Sequence, residues 1–258
     1  MRAGKTSDGL ERLFVSSASK FGPGEAIRGG IPVCFPQFSG RGPLPKHGFV
    51  RTSSEWDIES MSSEGGACKL VLTLGDTEAS RAVWPHAFTL RYLVTLTETT
   101  LCTEMELVNK GSEALTFTCA LHTYFAVDDV ANVEVLGLSG LTYEDNTAGN
   151  ANIVEAAEEV RVVGEVDRVY LDAPPRLALR AARAGAPKEQ LVIDKTPGFR
   201  DAVLWNLGEA KAPTMSDLGP GEWRNYVCIE AGAIGTPVEL PAGEAYSAGQ
   251  TFSIVCGD

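Results

Sequence analysis

Among the side chains of types that move protons in this 258-residue chain, two stand out because each sits on one face of a strand-like run. In LTFTCALHTYFAV, residues 115–127, Leu115, Phe117, Cys119, Leu121, Phe125 and Val127 share one parity. His122 falls on the other, with Thr116, Thr118, Ala120 and Tyr124. Successive strand side chains point to opposite faces, so the imidazole projects from the polar face. There it can meet solvent or a ligand and titrate near neutrality; a lone strand histidine is also commonly a satisfied structural residue, and parity leaves both open. In NYVCIEAGA, residues 225–233, Tyr226, Cys228 and Glu230 share one face, and Val227, Ile229 and Ala231 the other. If buried in so apolar a strand, this carboxylate has the displaced pKa that a general base needs. On an edge strand it would simply face water, and spacing weights the two alternatives equally.

A third stretch carries charge for binding. RGGIPVCFPQFSGRGPLPKHGFVR, residues 28–51, holds Arg28, Arg41, Lys46 and Arg51, four of the chain's 22 cationic residues. Its glycines permit unusual backbone angles and its prolines fix theirs, which describes an ordered loop system. Cations held this way suit an anion such as phosphate; for any single arginine, a solvated charge on a connection is the competing reading. In EVDRVYLDAP, residues 165–174, Asp167 and Asp172 flank Arg168 and Tyr170. An aspartate beside an arginine is more often a surface ion pair, so spacing does not select Asp167.

The composition sets limits on partners. With 22 Lys+Arg against 34 Asp+Glu the formal net charge is -12, which repels nucleic acid and anionic membrane surfaces except where cations concentrate. No apolar run approaches the roughly 20 residues that span a bilayer, and the N-terminal MRAGKTSDGLERLF lacks the apolar core of a secretory signal. A cytoplasmic protein is expected. The six cysteines lie far apart, with no CxxC and no Cys/His pair at zinc spacing, so reduced thiols and no structural metal are expected.

The elements that position these residues read as strands. CKLVLTLGD at 68–76 and FTLRYLVTLTE at 88–98 alternate with period 2, as does 115–127. NKGSE at 109–113, EDNTAGN at 144–150 and LPAGEAY at 240–246 are turn signals between them. Helical periodicity is weak, confined to 151–160 and 177–184, and the acidic region 139–165 reads as a long loop or excursion. The pattern predicts an all-β fold, an antiparallel β-sandwich, as one domain over 1–258.

At this level the chain resembles a known family. RGGIPVCFPQF, GPLPKHGFVR, WPHAFTL, ALHTYFAV, DRVYLDAP, DAVLWNLGEAKAPTMSDLGPGEW and YVCIEAGA, in that order, are similar to signatures of hexose-6-phosphate mutarotases. These form the glucose-6-phosphate 1-epimerase branch of the aldose 1-epimerase family. The resemblance runs from about residue 13 to 252. It implies a galactose-mutarotase-like sandwich, a monomer, and interconversion of sugar anomers without a cofactor. It implies catalytic roles for His122 and Glu230, a sugar-phosphate site at Arg28 and Arg51, and substrate binding by Asp167. His47 within PKHGF is expected to line the pocket, and His86 in WPHAF to be structural.

Three departures qualify the resemblance. Lys46 stands where the family usually has glutamine before HG, making a neutral contact cationic. WNLGEAKAP replaces the more usual WNP around Trp205. About a dozen residues precede the segment matching LFVSS, where family members have further strands; a sheet edge left uncovered is then expected to lower stability and favour association. Two rival functions stay open: an aldose 1-epimerase acting on free sugars, and a noncatalytic carbohydrate-binding sandwich.

Overall fold

The computed structural model describes residues 10–181 and 189–256, and they form two antiparallel sheets. The first runs β1 (Val33–Cys34), β6 (Leu115–Leu121), β16 (Tyr226–Leu240), β15 (Asp201–Asn206), β12 (Val166–Tyr170), β9 (Thr142–Asp145) and β10 (Ala151–Val154), with β7 (Tyr124–Ala126) also paired to β16. The second runs β11 (Glu159–Arg161), β8 (Val133–Leu136), β13 (Arg176–Ala181), β14 (Glu189–Lys195), β17 (Ala245–Cys256), β5 (Thr100–Asn109), β4 (Phe88–Leu96), β3 (Ala67–Gly75) and β2 (Asp57–Glu64). No helix among the described residues is long and apolar enough to cross a membrane.

The period-2 runs become strands because one parity of each has a core to face. Along β4, Phe88, Leu90, Tyr92 and Val94 are buried while the intervening residues are not. Phe88, Leu90, Met105 and Leu107 from the second sheet pack with Phe117, Leu121 and Ala231 from the first. A second cluster joins Val135, Leu177 and Ile193 to Tyr170, Leu204 and Ile229. Each buried Val, Leu, Ile, Met or Phe among them contributes about 1.5–3 kcal/mol on leaving water. On β16, therefore, Val227, Ile229 and Ala231 face the sandwich interior, and Tyr226, Cys228 and Glu230 take the outer face of the first sheet.

Several expectations are corrected. The stretch 151–160 is β10, a connection and the start of β11, and the described part of 177–184 belongs to β13; residues 182–184 lie outside the described residues. The region 139–165 is not a loop excursion. Its EDNTAGN turn joins β9 to β10, which pair Ala151 with Asp145 through Val154 with Thr142, while β11 extends the other sheet against β8. These short strands carry too few apolar residues for a period-2 signal and depend on pairing partners far off in sequence. The strand carrying Glu230 is not an edge: β16 lies between β6 and β15, which removes the water-facing alternative.

The polar parity of β6 is also more enclosed than the sequence implies. Thr118 and His122 are buried because the 28–51 segment folds over them. The Thr118 amide donates to the Pro36 carbonyl at 3.0 Å, and the Phe38 amide donates to Thr118 Oγ1 at 2.8 Å.

Candidate active site

The 28–51 segment is held in a conformation that its glycines allow. Gly48 has φ +68°, and a Cβ there would lie 2.0 Å from the Phe35 carbonyl oxygen. Only glycine fits so close an approach. Within the segment the Gln37 side chain donates to the carbonyls of Ser39 and Leu44 and accepts from the Leu44 amide at 3.0 Å. Where it meets the sheet, the His122 amide donates to the Pro32 carbonyl and the Tyr124 amide to the Gly30 carbonyl. Residue 122 follows the end of β6, so loop and strand together set the direction of its ring.

Between this segment and the outer face of the first sheet lies a cleft of about 340 Å³. Arg28, Lys46, His47, Arg51, His122, Asp167 and Glu230 all line it. Arg41 does not; its guanidinium pairs with Glu144 instead. An apolar groove of the same volume opens nearby and shares Arg51 with the cleft, but contains neither His122 nor Glu230.

On the cleft floor, His122 Nε2 stands 3.3 Å from Glu230 Oε1. The imidazole stacks on Tyr124 at 4.8 Å with planes 9° apart and meets the edges of Trp205 and His47, each at 5.5 Å. Both groups are buried, at 7% and 1% exposure. His122 Nδ1 and Glu230 Oε2 have no hydrogen-bond partner among the described residues. Burial pushes the Glu230 carboxyl well above the usual carboxylate range, with Asp167 adding repulsion and Lys46 opposing it. Burial also holds His122 well below its ordinary value, reinforced by His47, Arg28 and Arg51. Both shifts favour the uncharged forms, a neutral imidazole beside a protonated carboxyl.

His47 adopts φ +65°, and its Nδ1 accepts from the Ser39 amide at 3.3 Å. The neutral ring therefore carries its proton on Nε2 and serves the cleft as a donor. Burial, with Arg51, Lys46 and Arg28, lowers its pKa to about 3. Asp167 accepts from Asn146 Nδ2 at 2.6 Å, and burial raises its pKa.

The cations differ in how free they are. Arg28 gives Nε and Nη2 to Asp217 at 3.2 and 3.1 Å and Nη1 to the Tyr124 hydroxyl at 3.2 Å. Arg51 spends Nη2 on the Lys46 carbonyl at 3.2 Å, while its buried Nε has no partner among the described residues. Lys46 is exposed at the rim. Trp205, Asp217 and the Lys211–Glu165 pair at the rim were not singled out from sequence as site residues. Their partners are up to 189 positions away, beyond any spacing rule. His86 packs on Trp84 at 4.6 Å, outside the cleft.

Comparison with known proteins adds three findings. The aldose 1-epimerase family profile matches residues 6–253. A protein of Cenchrus ciliaris described as "Putative glucose-6-phosphate 1-epimerase" is 35% identical over 250 residues, covering 94% of this chain and 74% of that protein; one of Salmonella typhimurium with the same description is 33% identical over 229 residues, covering 85% and 72%. Among solved structures, a candidate mutarotase from Salmonella typhimurium superposes with a TM-score of 0.86 at 27% identity, covering 95% of this chain and 80% of that one. A galactose mutarotase related enzyme from Lactobacillus acidophilus shares the fold, with a TM-score of 0.70 at 16% identity and 95% coverage of each chain.

Proposed function

The chain belongs to the aldose 1-epimerase family, and from that premise we propose that it interconverts the α and β anomers of hexose 6-phosphates, such as glucose 6-phosphate. The observation that carries this reading is the buried His122–Glu230 pair at 3.3 Å beneath a rim bearing Lys46 and Arg51. The names of the relatives support the phosphate, and the unpaired thiols of Cys34, Cys68, Cys102, Cys119 and Cys228 accord with a cytoplasmic enzyme. We extend the reading to a single-domain monomer.

Opening the hemiacetal removes the O1 proton while the ring oxygen receives one. The C1–O5 bond breaks and a C1 carbonyl forms. Glu230 takes the O1 proton and His122 supplies the proton to O5. Rotation about C1–C2 presents the other carbonyl face, and the two transfers run in reverse. Asp167 and His47 Nε2 orient sugar hydroxyls.

These roles need the proton on His122, whereas burial alone keeps it on Glu230. A bound dianion offsets Arg28 and Arg51, which depress the His122 pKa after burial itself and His47, and so favours protonation of the imidazole when substrate binds.

The engaged fork of Arg28 favours one rival, action on free aldoses, because that arginine already has a carboxylate partner. On our reading Arg51 and Lys46 touch the phosphate and Arg28 contributes mainly its field. Exchange NMR on α- and β-glucose 6-phosphate, with glucose and galactose alongside, tests both readings. Acceleration of the phosphorylated sugar well above the free ones is expected. No acceleration of any sugar above buffer ends the enzyme reading, and equal acceleration of all three ends the phosphate reading.

A further inference from the structure

Three potential metal ligands meet at the His122–Glu230 pair, one more than the proton chemistry uses. Cys228 precedes Glu230 by two residues on the same face of β16. Its Sγ, one His122 nitrogen and one Glu230 oxygen lie within 4.8 Å of one another, and all three residues are buried. Around a tetrahedral zinc, with about 2.3 Å to sulfur and about 2.1 Å to nitrogen and oxygen, ligand atoms stand roughly 3.5 Å apart. Shifts of about an ångström therefore close the three on one ion, leaving a fourth position for water.

A second observation is independent of that grouping. His122 Nδ1 and Glu230 Oε2 are buried polar atoms without hydrogen-bond partners among the described residues. An unpartnered polar atom in such a place costs free energy that a coordinated cation offsets.

We propose that His122, Cys228 and Glu230 form a binding site for a divalent cation of the Zn²⁺ class, and that its occupation inhibits the enzyme by engaging both members of the acid–base pair. Arg28, Lys46 and Arg51 line the same cleft and repel a bare dication. One thiolate and one carboxylate cancel the charge of a bound Zn²⁺, so the assembled site is neutral in that field. Mg²⁺ and Ca²⁺ prefer oxygen ligands and gain little from a thiolate. The site is therefore selective for ions that accept sulfur and nitrogen. Inhibition rests on the acid–base reading given above, whereas binding does not.

The test uses the full chain stripped with EDTA. Equilibrium dialysis against Zn²⁺ alone should show one ion held per chain and displaced by excess glucose 6-phosphate. Co²⁺ should give a thiolate-to-metal charge-transfer band. Cys228→Ala should lose that band and weaken Zn²⁺ binding by more than about tenfold, the least that losing even a hydrogen-bond partner of a metal ligand costs, while its EDTA-treated mutarotation rate matches wild type. Equal Mg²⁺ should leave activity unchanged. Equal Zn²⁺ affinity in wild type and Cys228→Ala, or a band that persists in the variant, overturns the proposal. If the variant melts below the assay temperature, the wild-type Co²⁺ spectrum decides: a band abolished by glucose 6-phosphate supports the site, and no band refutes it. Zn²⁺ held by a chain that accelerates no sugar would sink the enzymatic reading and leave the metal site standing.

Discussion

Glu230 and His122 are held in uncharged forms by burial, which has consequences for rate and for stability. Glu230→Gln and His122→Asn should each lower kcat for glucose 6-phosphate by about two to four orders of magnitude, as removal of a general acid or base does; exchange NMR measures it. Because His122 stays well below 6.5, the singly protonated pair gains its second proton only in more acid solution. Expressed per dianionic substrate, whose phosphate has a second pKa of about 6, the profile of kcat/KM should thus run flat through pH 6.5, and Arg51→Gln, removing a neighbouring cation, should move the acid limb upward. A wild-type break at 6.5 would contradict this. Stability responds with its own sign. Unfolded Glu230 ionises above 4.5 while the folded carboxyl resists, so it weakens the fold as pH rises. Glu230→Gln should melt above wild type, with a gap that widens as pH rises above 4.5. At this scale the sequence was informative where strand parity applied, as for His122 and Glu230. It was silent on Asp167, whose environment depends on Asn146, 21 residues away, and on the Arg28–Asp217 pairing.

The 28–51 segment is the element that turns a sheet face into a cleft. Gly48→Ala would force a Cβ onto the Phe35 carbonyl oxygen at a φ that L side chains avoid. It should destabilise the fold by more than about 1–3 kcal/mol, the usual cost of backbone strain alone, in urea titrations. By displacing His47 and Arg51 it should also raise KM for the sugar phosphate. Arg51→Ala should raise KM more than Arg28→Ala, since Arg28 is tied to Asp217 while Arg51 Nε is unpartnered among the described residues. Strands such as β4 and β6 were legible because one parity of each meets a core. The short strands β9, β10 and β11 exist only through their partners, so periodicity misread them as helix and loop. Burial of the polar parity of β6 could not be foreseen either, because it depends on a loop some 80 residues earlier.

Across the whole molecule, cations are scarce in a chain of net charge -12, and several of them line one cleft. Added salt should therefore reduce kcat/KM for glucose 6-phosphate while leaving that for glucose nearly unchanged. The far edge of the second sheet offers another test. Every residue of β2 is exposed, with Ile58 at 68% and Met61 at 78%, and among the described residues no strand pairs with its outer backbone groups. Such an edge invites pairing with another chain. Ile58→Lys with Met61→Lys should suppress concentration-dependent association in sedimentation velocity without altering turnover. Glu230, by contrast, lies on β16, hydrogen-bonded along both sides, whereas His47 and Arg51 hang on a connection pinned by a few contacts. Amide hydrogens on β16 should then exchange among the slowest in the molecule and those of residues 39–50 much earlier. A warmed sample should lose its preference for phosphorylated sugars before it loses the residual turnover it shares with free ones.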